Sequence, residues 1–357
     1  MERKTILHFI VSLERGGAET MLVQVLKELK EFNNIVVTLN DNNHFKNDFD
    51  CDKYICLNEP AFRKLPISIL KFKSLIKEYK PDLVHSHLVL PNFIARLATP
   101  VNIPLINTIH TSVSQATDYK KPFIRFLEKF TYNYRKPTII SVSDTAMNDY
   151  FNLLRIKSNE HYVLHNFINE KKFCELPLKE ARSSPFKIIS VGSLRKGKNY
   201  LYLVEAFKKL KEQEIELHVY GTGLQQNVLQ EAINEAGVKI KLKGQAQNIN
   251  EILPHYDLFV MSSLFEGFSL SVLEAMAVKL PLLLSNIPSF SEQCEDTAFY
   301  FDVNSTDDFC QKLENVLRKK DLLTEKKEQA YQRMINNFTL MNHLKKLRAI
   351  YDNALSV

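Results

Sequence analysis

The sequence predicts an α/β protein built from two doubly wound domains. Three observations carry that reading. Short apolar runs alternate with amphipathic segments along almost the whole chain. The runs are continuously apolar, as strands covered on both faces of a parallel sheet require. The alternation then fails once, between about residues 166 and 185, where NEKKFCELPLKEARSSPF is polar and holds two prolines. That break reads as an interdomain linker, and 357 residues suffice for a core on either side of it. The expected boundaries are a first domain at 1–168, a linker at 169–185, a second domain at 186–335 and a terminal helical segment at 336–357.

In the first half the predicted strands are TILHFIV, NIVVTLN, LVHSH, LINTIH and TIISVS; in the second they are FKIISVG, IELHVYG, VKIKLKG, DLFVMSS, LPLLLSN and AFYFDV. Between the first two, TMLVQVLKELKEF is apolar at Met21, Leu22, Val25, Leu26 and Leu29, one face of a helix. NYLYLVEAFKKLKEQ repeats the pattern after the linker. From about Asp321 the chain is helical only, and NHLKKLRAIYDNAL is expected to pack back on the first domain.

Composition excludes several classes. No apolar run of transmembrane length occurs, and the amino terminus lacks the pattern of a secretory signal. Cys51, Cys56, Cys174, Cys294 and Cys310 are odd in number, scattered and without a CxxC pair. A zinc site or disulfide framework is therefore not predicted, and a reducing cytoplasm fits. Net charge is +6, with 25 Lys/Arg against 20 Asp/Glu over residues 1–180 and 22 against 21 over the rest. The basic first half suits either a solvated surface or an anionic partner such as a membrane surface or a phosphorylated acceptor. No dense basic array points to nucleic acid.

In open α/β sheets ligands bind where strands run into helices, so the loops there carry the chemistry. ERGGAET offers Gly16 and Gly17 at a helix start, where N–H groups attract anions and glycine permits positive φ; a plain turn is the alternative. VGSLRKGKN places Arg195, Lys196 and Lys198 in a loop able to hold a diphosphate or simply to be solvated. YGTGL lacks the third glycine of a dinucleotide fingerprint and reads as a tight turn. His85, His87 and His110 end neighbouring strands, which favours polar substrate contacts over a metal site. The run of Asp48, Asp50 and Asp52 lacks the glycine and glutamate of a calcium loop. In EGFSLSVLE, Ser271 and Glu274 fit a capping box. Glu266 has no such structural task, and a loop carboxylate beside Gly267 suits sugar or ribose hydroxyls.

These pieces together resemble the family 4 glycosyltransferases. EGFSLSVLEAMAVKLP is similar to their E-x7-E segment. RGGAE, PDLVHSHL, NTIHT, SVSDTA, VLHNFINEKKF, VGSLRKGKN and YGTG are similar to their successive segments, in order, over almost the whole chain. The resemblance implies the GT-B fold, two Rossmann-like domains facing across a cleft, with the terminal helix crossing back. It implies retaining transfer from a nucleoside diphosphate sugar, commonly a UDP-sugar, to a glycan or lipid-linked acceptor, with no metal or other cofactor. By matched position, Glu274 would hold ribose, Glu266 the transferred sugar, and the backbone of Gly267, Phe268, Ser269 and Leu270 the sugar and diphosphate. Lys198 would bind phosphate, Gly16 and Gly17 would approach it, and His110 would stand near the reacting carbon. His85, His87 and Asn166 are acceptor-side candidates.

Three positions depart from the family pattern. GRL reads Gly192-Ser193-Leu194, which leaves Arg195 to replace the missing arginine. NG reads Asn166-Phe167, and the glycine expected at a left-handed helix end is Lys279. Two other readings stay open: a nucleotide-sugar epimerase, and an inactive GT-B subunit that tethers a partner. DYKKPFIRFLEKFTYNYRKP, basic and aromatic, suits either an anionic lipid surface or an ordinary helix.

Overall fold

A computed structural model of the protein describes residues 3–14, 16–45, 49–59, 62–116, 118–158, 160–173 and 185–356. The chain forms two compact units, Met1–Asn166 with Met341–Val357, and Phe167–Leu340. Most of the predicted linker, and Asp48 of the acidic run, fall outside the described residues.

Among the described residues unit 1 holds seven strands: β1 Thr5–Ile10, β2 Asn33–Thr38, β3 Lys53–Cys56, β4 Leu83–His87, β5 Leu105–Ile109, β6 Thr138–Ser141 and β7 His161–Val163. They form one parallel sheet in the order β3-β2-β1-β4-β5-β6-β7. The direction of strand addition reverses between β1 and β4, so the loops after those strands diverge and leave room for side chains. Helices α1 Gly17–Glu28, α2 Leu65–Tyr79, α3 Val89–Ala98, α4 Pro122–Arg135 and α5 Asp144–Leu154 join the strands. Every residue of β4 and β5 is buried, as a central parallel strand demands. The periodic residues Met21, Leu22, Val25 and Leu26 of α1 are buried.

Unit 2 repeats the plan with β8 Phe186–Val191, β9 Ile215–Tyr220, β10 Ile240–Gly244, β11 Leu258–Met261, β12 Leu282–Ser285 and β13 Phe299–Phe301. Their parallel order is β10-β9-β8-β11-β12-β13, again with a reversal beside the first strand. The helices are α6 Tyr200–Lys208, α7 Gln226–Ala236, α8 Ile249–Ile252, α9 Leu270–Ala277, α10 Pro288–Cys294, α11 Thr306–Arg318 and α12 Lys320–Asn337. A last helix, α13 Leu340–Leu355, belongs to unit 1 from Met341 onward. Tyr351 is fully buried there, and the Arg348 guanidinium donates to the Glu28 carbonyl at 2.8 Å and pairs with Glu31.

The eleven strand runs of the sequence reading are all strands. The two it lacks, β3 and β7, are the edges of the first sheet and expose part of every residue. Among the described residues no helix is long and apolar enough to cross a membrane. Asp50 pairs with Lys30, and Asp52 with Arg3 at 2.6 Å, so these two acids serve the surface of unit 1.

Candidate functional site

In unit 2 the reversal lies between β8 and β11, and the loops following those strands meet. The loop after β8 tightens into one turn at Lys196–Lys198 before α6. The Ser262 hydroxyl, just beyond β11, donates to the carbonyls of Lys198 and Asn199 at 3.0 and 3.1 Å. The Leu264 N–H donates to the Gly197 carbonyl at 2.9 Å. This stitching brings two sequence-distant charges together: the Lys198 ammonium lies 2.7 Å from Glu266 Oε1, and each side chain is 9% exposed. The Ser263 hydroxyl donates to the same oxygen at 2.7 Å, and the ammonium also faces Met261 Sδ at 3.8 Å. So little solvent reaches the pair that its charges are weakly screened.

Tyr200 closes the other side, its hydroxyl donating to the Gly192 carbonyl at 3.3 Å. Burial raises the pKa of that phenol, the charge of Glu266 adds to the rise, and Arg195 opposes it. Tyr200 therefore senses both candidates. Arg195 itself is exposed at the start of the turn.

The YGTGL loop does close a turn, the Gly223 carbonyl accepting from the Gln226 N–H at 3.1 Å, but it does more than turn the chain. It lies along the loop after β8: the Gly192 N–H donates to the Tyr220 carbonyl at 2.9 Å, Leu194 N–H to the Thr222 carbonyl at 2.9 Å, and Gln225 N–H to the Leu194 carbonyl at 2.9 Å. A Cβ on Gly221 would stand 2.0 Å from the Gly192 carbonyl oxygen, and one on Gly223 would stand 2.5 Å from that of Leu194. Both glycines also have positive φ, +144° and +159°. They are there because backbone must meet backbone.

The helix start after Glu266 differs from the reading too. The cap of α9 is Ser269, whose hydroxyl accepts from the Val272 N–H at 3.4 Å, so Ser271 and Glu274 do not form the expected capping box. Gln293 clamps Ser269 from α10, accepting from its N–H at 3.0 Å and donating to its carbonyl at 2.8 Å. The Ser269 N–H is thus already engaged. Phe268 is buried, its ring 5.0 Å from Phe338, while Gly267 and Leu270 flank it at the helix entrance. Glu274, released from capping, lies within α9; among the described residues its carboxyl has no side-chain partner. Desolvation pushes its pKa up to about 7. Lys279 does take the left-handed conformation inferred for it, with φ +53°. Its ammonium pairs with Glu328 at 2.7 Å and lies 4.4 Å from the Tyr331 ring centre.

In unit 1, Gly16 and Gly17 do not use positive φ. Gly16 is extended at φ −128° and Gly17 opens α1. A Cβ on Gly16 would meet the Glu19 carboxylate, so glycine makes room for this acid to fold over the helix start. Burial raises the Glu19 pKa.

The histidines share one sheet face. His8 and His85 are register partners on β1 and β4, and His85 and His87 alternate along β4. His85 Nδ1 lies 2.6 Å from the Tyr351 hydroxyl and Nε2 lies 2.7 Å from the Thr108 hydroxyl. His87 Nδ1 meets His110 Nε2 at 3.2 Å, and His8 Nε2 meets the Asn34 side-chain oxygen at 3.1 Å. One nitrogen of the first pair must donate and the other accept, which two neutral rings satisfy. Burial pushes His8 and His110 down to about 4, and His85 and His87 well below the ordinary value. His8, His85 and His87 each offer a ring nitrogen within 4.8 Å of the others. An ion there would displace a hydroxyl from His85, so the set reads as a core network. His85, His87, His110 and Asn166 border a pocket of about 40 Å³ together with Met21 and Tyr351. His85 is therefore held on both sides rather than presented to a substrate.

Sequence reasoning missed Tyr200, Ser263, Gln293 and Tyr351. Ser263 follows a strand directly and was within reach of a strand-end rule; Gln293 carried no local signal.

The model of the glycosyl transferases group 1 matches residues 177–333, and that of glycosyltransferase family 4 matches residues 15–172. A Campylobacter jejuni N-acetylgalactosamine-N,N'-diacetylbacillosaminyl-diphospho-undecaprenol 4-alpha-N-acetylgalactosaminyltransferase is 27% identical over 282 residues, 75% of this chain and 77% of that protein. An Escherichia coli UDP-Gal:alpha-D-GlcNAc-diphosphoundecaprenol alpha-1,3-galactosyltransferase is 26% identical over 320 residues, 83% and 81% of the two chains. Among solved structures, a glycosyltransferase from Rickettsia africae aligns with a TM-score of 0.83 at 21% identity, covering 99% of both chains. An Anabaena protein in complex with UDP aligns at 0.82 and 16% identity, covering 98% of this chain and 100% of that one. At such identities the structural likeness shows the fold.

Proposed function

The chain belongs to the family 4 glycosyltransferases and has their GT-B fold, and from that premise we propose that it moves a sugar from a UDP-sugar to a glycan or lipid-linked acceptor in surface polysaccharide synthesis. Transfer proceeds with retention at the anomeric carbon and needs no bound metal or other cofactor. Support for the acceptor class comes from relatives whose names specify diphospho-undecaprenol-linked acceptors, and support for UDP from the Anabaena complex. Work on such an acceptor sets the protein at the inner face of the membrane.

The observation that carries the reading is the Lys198–Glu266 pair at the carboxyl ends of β8 and β11, in the same loop-and-helix unit as Glu274, whose carboxyl has no capping task. Without donor, Glu266 neutralises Lys198. A diphosphate competes for the ammonium, and the carboxylate it displaces turns to hydroxyls of the sugar. Glu274 takes the ribose hydroxyls. During transfer the bond from the anomeric carbon to the phosphate oxygen breaks as the acceptor oxygen bonds to the same face of that carbon. The acceptor proton passes to the departing phosphate oxygen, so charge and atoms balance. Lys198 and Arg195 stabilise the charge gathering on the leaving diphosphate. Unit 1 handles the acceptor.

Thermal shift with UDP- and GDP-sugars tests the donor, because a ligand of the folded state stabilises it by mass action. UDP-sugars are expected to raise the melting temperature and to be hydrolysed slowly, with hydrolysis lost in Glu266→Ala. No stabilisation by any nucleotide sugar, or hydrolysis untouched in Glu266→Ala, overturns the proposal. An epimerised donor as sole product selects the epimerase reading.

A further inference from the structure

We propose that the outer face of α4 is a docking surface for an anionic phospholipid bilayer. The helix buries Ile124, Glu128, Thr131 and Tyr132, and α3 and α5 pack on it. Glu128, its only acid, is thereby removed from the surface: it pairs with the fully buried Arg96 and accepts from the hydroxyls of Tyr119 and Tyr150 at 2.9 and 2.6 Å. Opposite lie Phe123, Phe126, Phe130 and Tyr134, exposed by 67, 66, 53 and 67%. Their spacing keeps all four within an arc of about 80°, and the rings of Phe126 and Phe130 stack at 6.2 Å. Lys129 is exposed on the helix about 60° from this stripe, and Lys120, Lys121 and Lys136 are exposed at the two ends of the helix. Arg125 and Arg135 instead hold backbone carbonyls of Tyr119, Pro100 and Ile103.

A contiguous, exposed aromatic stripe marks an interaction surface. The flanking charge identifies the occupant. Lysines with no surface acid on the helix complement anionic headgroups, while aromatic rings sit at the headgroup boundary. A second copy of the chain would set lysine against lysine. The inference stands on α4 alone and does not depend on the transfer reaction.

Co-sedimentation of the full chain with phosphatidylglycerol or phosphatidylcholine vesicles tests it. Binding to phosphatidylglycerol is expected, weakening with salt, and at least tenfold weaker in both Phe126→Ser/Phe130→Ser and Lys121→Glu/Lys129→Glu. The exposed positions should leave the melting temperature and donor hydrolysis unchanged. Three results would overturn the proposal: no binding to phosphatidylglycerol, equal binding to phosphatidylcholine, or equal binding by the variants. So would self-association that the Phe variant abolishes. Donor hydrolysis is read without vesicles, so failure of the docking and failure of the transferase reading are separable.

Discussion

Lys198→Met removes the ammonium, which faces Met261 Sδ at 3.8 Å, and keeps most of the unbranched apolar stem. Glu266 then keeps a charge in a nearly closed environment, with the Ser263 hydroxyl still bonded to it. Breaking one side of a buried pair costs about 3–5 kcal/mol. The retained hydroxyl and the 9% exposure of each partner set the expectation at the lower end, about 3 kcal/mol. For a domain of this size that is a drop of about 6–12 °C in melting temperature. Adding Glu266→Gln removes the uncompensated negative charge, so the double variant should recover about 1–2 kcal/mol while donor turnover stays lost. Scanning calorimetry, with donor hydrolysis on the same samples, reads both quantities. A single variant that melts with the wild type, or a double variant no more stable than the single, would refute the coupling; full turnover in either would remove the pair from the site.

Gly221→Ala should destabilise unit 2 by about 2–3 kcal/mol and abolish UDP-dependent stabilisation, since its Cβ must displace the Gly192 carbonyl from 2.0 Å; denaturant unfolding with and without UDP checks this. The Glu274 carboxyl has a pKa of about 7 against the ordinary 4.5, so the native state binds more protons than the unfolded one between those values, and stability falls as pH rises through them. Glu274→Gln should therefore stabilise the donor-free protein at pH 8, by on the order of 2 kcal/mol after discounting for the solvent that reaches the residue, do little at pH 4, and weaken UDP binding. Desolvated histidines work oppositely: buried His8, partly buried His110 and partly buried His343 of α13 are pushed down to about 4 in the native state from about 6.5 in the unfolded, so unfolding takes up protons in that window. Stability should fall steeply as pH drops from 6.5 to 4, and His8→Asn should flatten the curve, measured by urea titration across pH.

The sheets were legible because parallel central strands must be apolar on both faces, and a run such as LVHSH or DLFVMSS has few other uses. The edges were not: KYIC and HYV expose part of every residue and carry no continuous apolar signal. At the site, local features read well. Lys279 was legible through the family pattern, which sets a glycine at that helix end. Pairings did not read well, because Lys198 and Glu266, or Gln293 and Ser269, are joined by loop paths that no local pattern encodes. The cap of α9 shows the same limit. Both Ser269 and Ser271 have capping chemistry, and the choice fell to Ser269, the residue that Gln293 holds in place.

The contact between His85 and Tyr351 spans 266 residues of sequence. At about 5–20 residues per second, a ribosome needs roughly 15–50 s to make that stretch. Throughout that interval the nascent amino-terminal sheet lacks the helix that supplies Tyr351, and its histidine row stands uncovered. The second unit, which ends at Leu340, is complete before the first. This order inverts the usual vectorial sequence, in which the first-made domain matures first. Chaperone capture and nascent-chain proteolysis would therefore fall on the earlier-made half.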